Sequence, residues 1–81
     1  MKIYLAGIPA GTTEEELCQL LNRYIRVTEL QLVDIDHPHG AGALLTVEGT
    51  NAEAHWAARR LTGMYWKGHS LQAYVQLFSD R

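Results

Sequence analysis

Cysteine is almost absent from this chain. Cys18 stands alone, which excludes a disulfide framework and a CxxC metal or redox site and agrees with a reducing compartment. Long apolar runs are missing as well. No stretch approaches the roughly 20 residues that span a bilayer, and the start lacks the basic segment and apolar run of a signal peptide. The expectation is a cytoplasmic protein with no membrane contact. There is no basic surplus either: the net charge is −2, whereas nucleic-acid binders usually carry an excess of Lys and Arg. Any such binding must depend on local placement. No Ser/His/Asp spacing, Gly-rich phosphate loop or pair of buried carboxylates stands out, so neither an enzyme nor a cofactor is expected. What is present, 47% hydrophobic and 20% charged residues, fits one small folded domain over residues 1–81 with a short tail at 77–81.

The chain alternates like a sheet protein at its start and middle. Ile3 and Leu5 face one way, while Lys2, Tyr4 and Ala6 face the other, in a first strand that Pro9 stops because it lacks a ladder donor. Ala43, Leu45 and Val47 alternate with Gly42, Leu44 and Thr46 in a strand apolar on both faces, as a central strand is. Val27 to Val33 reads as an edge strand, with Leu30 and Leu32 on one side and Glu29, Gln31 and Val33 on the other. Leu71, Ala73 and Val75 alternate with Gln72, Tyr74 and Gln76 in the last strand.

Two helical patterns fall between these strands. Thr12 or Thr13 caps the first. Thr13 with Glu16 makes a capping box, and Leu17, Leu20, Leu21 and Tyr24 form an apolar stripe in a helix expected from Glu14 to about Tyr24. Cys18 borders that stripe and reads as a core-edge thiol. The second helix is expected from Ala52 to Leu61, with Ala54, Ala57, Ala58 and Leu61 as its narrow apolar face and Thr62-Gly63 as its stop. Lys67-Gly68 reads as a turn, with Trp66 as a lid on the core. Asp34 to Ala41 reads as a loop. Its Asp34, Asp36, His37 and His39 have metal-ligating chemistry, but turns commonly use the same residues, and no metal site is assigned. The resulting order βαββαβ is that of an α+β, ferredoxin-like split βαβ sandwich, with both helices on one sheet face and the other face open.

With these landmarks the chain resembles the RNA recognition motif family over nearly its whole length. Ile3-Tyr4-Leu5-Ala6-Gly7-Ile8 looks like the family's short first-strand motif, with Tyr4 in the place of the aromatic that faces RNA. Thr13-Glu14-Glu15-Glu16-Leu17 looks like the opening of its first helix. Leu61-Thr62-Gly63 and Trp66-Lys67-Gly68-His69-Ser70-Leu71 resemble its approach to the last strand. The longer third-strand motif is degenerate. Aligned on the core alternation, its two stacking positions hold Gly42 and Leu44 and its basic position holds Gly40; an alternative register places His39 at the basic position and Ala41 and Ala43 at the aromatic ones.

The resemblance implies a four-stranded antiparallel sheet of order 4-1-3-2 and single-stranded RNA as partner. The candidate binding residues are Lys2, Tyr4, Gln31, Leu44, Gln72, Tyr74 and Gln76: two aromatic platforms, one cation, three amides suited to base edges, and an aliphatic in a stacking position. With so little equipment the expected binding is weak and of low specificity. The alternative is a protein-interaction module of the same fold, its aliphatic sheet face formed by Leu44, Val33 and Ala6. Arg59 and Arg60 are expected on the side away from the sheet.

Overall fold

The computed structural model describes residues 1–33 and 41–76. Its elements are β1 (Lys2–Ile8), α1 (Glu14–Leu21), β2 (Val27–Val33), β3 (Ala41–Val47), α2 (Asn51–Leu61), the short strands β4 (Tyr65–Trp66) and β5 (His69–Ser70), and β6 (Gln72–Gln76). The main sheet is antiparallel in the order β2-β3-β1-β6, which is the expected 4-1-3-2 read from its other edge, with β6 as fourth strand. β4 and β5 form a separate hairpin around Lys67-Gly68.

Both helices begin with a reciprocal cap. The Glu16 backbone N–H donates to the Thr13 hydroxyl at 3.2 Å and the Thr13 N–H donates to the Glu16 carboxylate at 3.1 Å; Thr50 and Glu53 repeat this at the start of α2. Each box satisfies two backbone donors that a helix start leaves free, and such a cap contributes about 1 kcal/mol. α1 is shorter than its apolar stripe suggests. It ends at Leu21, where Asn22 caps it, and the chain tightens through Tyr24 N–H to Leu21 C=O at 2.9 Å, while Asn22 Oδ1 accepts from Val27 N–H at the entry to β2. Tyr24 still packs on the core from beyond the helix end.

The core lies between the sheet and the helices. Ile3, Leu5 and Ile8 of β1, Leu45 of β3, Leu17 and Leu21 of α1, Leu61 of α2 and Leu71 are fully buried. Each such side chain contributes about 1.5–3 kcal/mol relative to an exposed one. Ala54 and Ala57 are small enough to bring α2 close to the sheet, where it lies against β6 while α1 lies against β2. Trp66 packs on this core as expected of a lid. β1 contains one break in alternation: Gly7, at φ +83°, bulges out of the ladder with β3, and a Cβ there would stand 2.4 Å from the Ser70 carbonyl oxygen. The extra residue turns Ile8 into the core beside Leu5.

Candidate nucleic-acid interface

The face of the sheet opposite the helices is built from three rows, and the strand register names their members. One row runs Glu29, Thr46, Lys2, Gln76; the next Gln31, Leu44, Tyr4, Tyr74; the third Val33, Gly42, Ala6, Gln72. All seven candidate residues therefore share one face. Tyr4 lies directly between Leu44 and Tyr74, and Leu44 is in turn opposite Gln31.

The two tyrosines are held differently. Tyr74, on the edge strand, is 53% exposed and its hydroxyl donates to Gln72 Oε1 at 2.7 Å, a link between consecutive residues of one strand face. Tyr4, on a central strand, is half-buried and reaches diagonally over β3: a Cβ on Gly42 would stand 2.4 Å from its Oη and 2.8 Å from its Cζ. Gly42 is itself buried beneath this phenol end. The position that, in the alignment on the core alternation, takes an aromatic of the longer family motif is thus the floor on which the Tyr4 ring rests, and any side chain there would displace the ring. Leu44 is half-buried. A shallow depression of about 420 Å³ beside it is lined by Lys2, Glu29, Gln31, Leu44 and Thr46.

Charge is sparse on this face. Among the described residues its three rows carry one cation, Lys2, and one anion, Glu29, which share a row. The other described cations lie elsewhere. Arg59 is closer to the sheet than expected: it lines, with His55, Thr62, Ala73 and Tyr74, a cleft where α2 meets β6, because α2 packs on that edge strand. Arg60 points to the other flank of α2, where its guanidinium lies 5.3 Å from the Trp56 ring centroid.

Thr46 and Glu29 belong to the face although they were not among the candidates; their strand alternation with Leu44 and Gln31 was the available signal. Gly42 had none, since its role depends on a diagonal contact from another strand. Asp34, Asp36, His37 and His39 lie outside the described residues. Among the described residues no three His, Cys, Asp or Glu side chains gather as a metal site would require.

In sequence the chain matches no family model and no curated protein. In structure it is similar to many solved chains. The RRM of Rna15 with bound RNA (GU) superposes with a TM-score of 0.78 at 22% identity, covering 99% of this chain and 86% of that one. The third RRM of Pes4 gives 0.80 at 17% identity, over 99% and 96%. The RNA binding protein PG1 gives 0.77 at 24% identity, over 100% and 99%. These likenesses, with the strand order and the paired helices, show that the chain has the fold of RNA recognition motif domains.

Proposed function

We propose that this chain is a noncatalytic module that binds single-stranded RNA on the open sheet face, weakly and with little sequence readout. The observation that carries the reading is the central row, in which Tyr4, set over Gly42, stands beside Tyr74 on the neighbouring strand. Two aromatic platforms on adjacent strands suit two successive bases, and stacking contributes about 1–3 kcal/mol for each. The bound RNA of the Rna15 RRM, a chain of the same fold, supports the same partner class here.

The amides nearby add orientation. Gln72 Oε1 is occupied by the Tyr74 hydroxyl, which leaves its NH₂ to donate, while Gln31 and Gln76 both donate and accept at the ends of their rows. Leu44 offers a base only apolar contact. Low specificity follows from this set, because stacking is tolerant of base identity.

The second reading, a protein-docking sheet face, rests on Leu44 and Val33 in place of aromatics. Both are half-buried, so the aliphatic area they offer is small. An NMR titration with mixed short single-stranded RNA oligomers separates the two. Shifts at Tyr4, Leu44 and Tyr74 are the expected outcome. No shift on the sheet, together with self-association that Leu44→Glu abolishes, would transfer the face to a protein partner.

A further inference from the structure

Where α2 lies along the outer edge of β6, a cleft of about 400 Å³ opens beside Tyr74. Its helical wall is the stripe His55, Ala58, Arg59 and Thr62, spaced i, i+3, i+4 and i+7. Ala58 is small and buried, whereas His55 and Arg59 on either side of it are exposed. The other wall includes Ala73 and Tyr74 of β6. No carboxylate is among the described residues that line this cleft, and Arg59 has no ion pair among the described residues. Its neighbour Arg60 is engaged on the opposite flank, over the Trp56 ring, whose centroid is 6.2 Å from that of Tyr24.

The sheet edge at this cleft is closed to an added strand. Ala73 N–H donates to the Thr62 hydroxyl oxygen at 3.1 Å, and that hydroxyl donates to the Ala73 carbonyl at 3.3 Å. Two residues earlier, Leu71 N–H donates to the Met64 carbonyl at 2.8 Å and the Leu71 carbonyl accepts from Gly63 N–H at 2.7 Å. A peptide pairing through its backbone would need these same groups. What the cleft offers instead is a guanidinium and an imidazole, which carries an N–H donor in either tautomer, on a wall without negative charge.

We propose that RNA held on the open face continues over the β6 edge and sets the phosphate beyond the Tyr74-stacked nucleotide against Arg59 and His55. The inference rests on the reading of the open face as an RNA site. Tyr4 and Tyr74 are paired on adjacent strands about 4.8 Å apart, so a chain stacked on both travels across the sheet toward its β6 edge. The next nucleotide lies past that edge, where the cleft begins at Tyr74 itself. An arginine there bonds phosphate oxygens irrespective of base, so it adds affinity and direction without sequence readout.

The test is a set of ¹⁵N NMR titrations of the full chain with a uridine dinucleotide and a uridine pentanucleotide. Both should move the Tyr4 amide, and only the pentanucleotide should also move that of Arg59. Arg59→Gln, on an exposed side chain that leaves the core intact, should weaken pentanucleotide binding about two- to fivefold. It should also make the salt slope shallower by about 0.7, and leave the dinucleotide unaffected. Arg60→Gln removes the same charge on the other flank and should change neither. Equal losses in the two Arg variants would overturn the proposal, since net charge alone would then account for them. Undiminished pentanucleotide binding by Arg59→Gln, where Tyr4→Ala still abolishes it, would overturn the edge contact and leave the open-face reading standing. RNA that does not move Tyr4 would overturn both. An oligoglutamate that moves the Arg59 amide when the pentanucleotide does not would assign the cleft to an acidic protein instead.

Discussion

The two faces of the main sheet are drawn from the same strands at alternate positions, yet they are built on different principles. The covered face is aliphatic and sealed, with Ile3, Leu5, Ala43 and Leu45 at no exposure. The open face mixes Tyr, Gln, Thr and Leu in three rows, and its most buried member apart from the strand ends, Gly42, is covered by a neighbour's ring rather than by a helix. Stability resides on the covered face, and the recognition proposed above on the open one. Single substitutions at adjacent residues should therefore have unlike consequences.

The largest contrast is expected in β3. Leu45→Ala empties a fully buried site and should cost about 2–5 kcal/mol, as should Leu5→Ala in β1, whereas Leu44→Ala on the half-buried open side should cost less than about 1 kcal/mol. Urea melts of the three variants measure this directly. Equal losses at Leu44 and Leu45 would break the division between the faces.

Gly42→Ala sharpens the comparison because it adds one methyl on the open face. The methyl would collide with the end of the Tyr4 side chain and not with backbone, so turning the ring aside relieves the clash at about 0.5–1.5 kcal/mol. A near-normal melt with displaced Tyr4 ring resonances and weakened RNA binding is the expected outcome. Unchanged Tyr4 resonances would show that Gly42 is not its floor.

The smallest effect should arise away from both faces, where α1 meets the β4–β5 hairpin. The Lys67 ammonium, which bonds the Glu16 carboxylate, and then the Thr13 N–H hold that carboxyl below its ordinary value of 4.5. A lowered folded-state value means stabilisation that is fully present above pH 4.5 and lost as pH falls through the lowered value. Both side chains are in solvent contact, so screening keeps the contribution slight. Thermal melts across that acidic range should show Glu16→Gln with a flatter pH dependence than the unaltered chain. Identical profiles would remove the pair from the account of stability.

Much of this organisation was legible in one dimension because strand facing has a period of two and helix facing a period near 3.6. Leu5 and Leu45, the Thr13–Glu16 box and the alanine face of α2 all follow from spacing alone. What spacing does not contain is register. The diagonal placement of Tyr4 over Gly42 needs the pairing of β1 with β3, and so does the row that sets Glu29 beside Thr46 and Lys2. The Gly7 bulge was hidden for a related reason: Ile8 reads as part of a continuous strand until the positive φ of Gly7 inserts an extra residue and turns Ile8 inward. Arg59 was misplaced because helix periodicity tells which residues face the sheet but not which edge strand lies beneath the helix. Trp56 fell outside the apolar stripe of α2, and its meeting with Tyr24 joins two segments far apart in sequence.

The central claim is that Tyr4 anchors what RNA this face holds, with few phosphates neutralised. Fluorescence anisotropy with a short labelled single-stranded RNA, over a range of salt and for both the unaltered chain and Tyr4→Ala, tests it most directly. With Lys2 as the one described cation of the face, one or two phosphate contacts predict a slope of log K against log salt of only about −1. Tyr4→Ala should remove most of the binding. Undiminished binding by Tyr4→Ala, or a steep salt slope, would place the RNA elsewhere on the molecule and contradict the account.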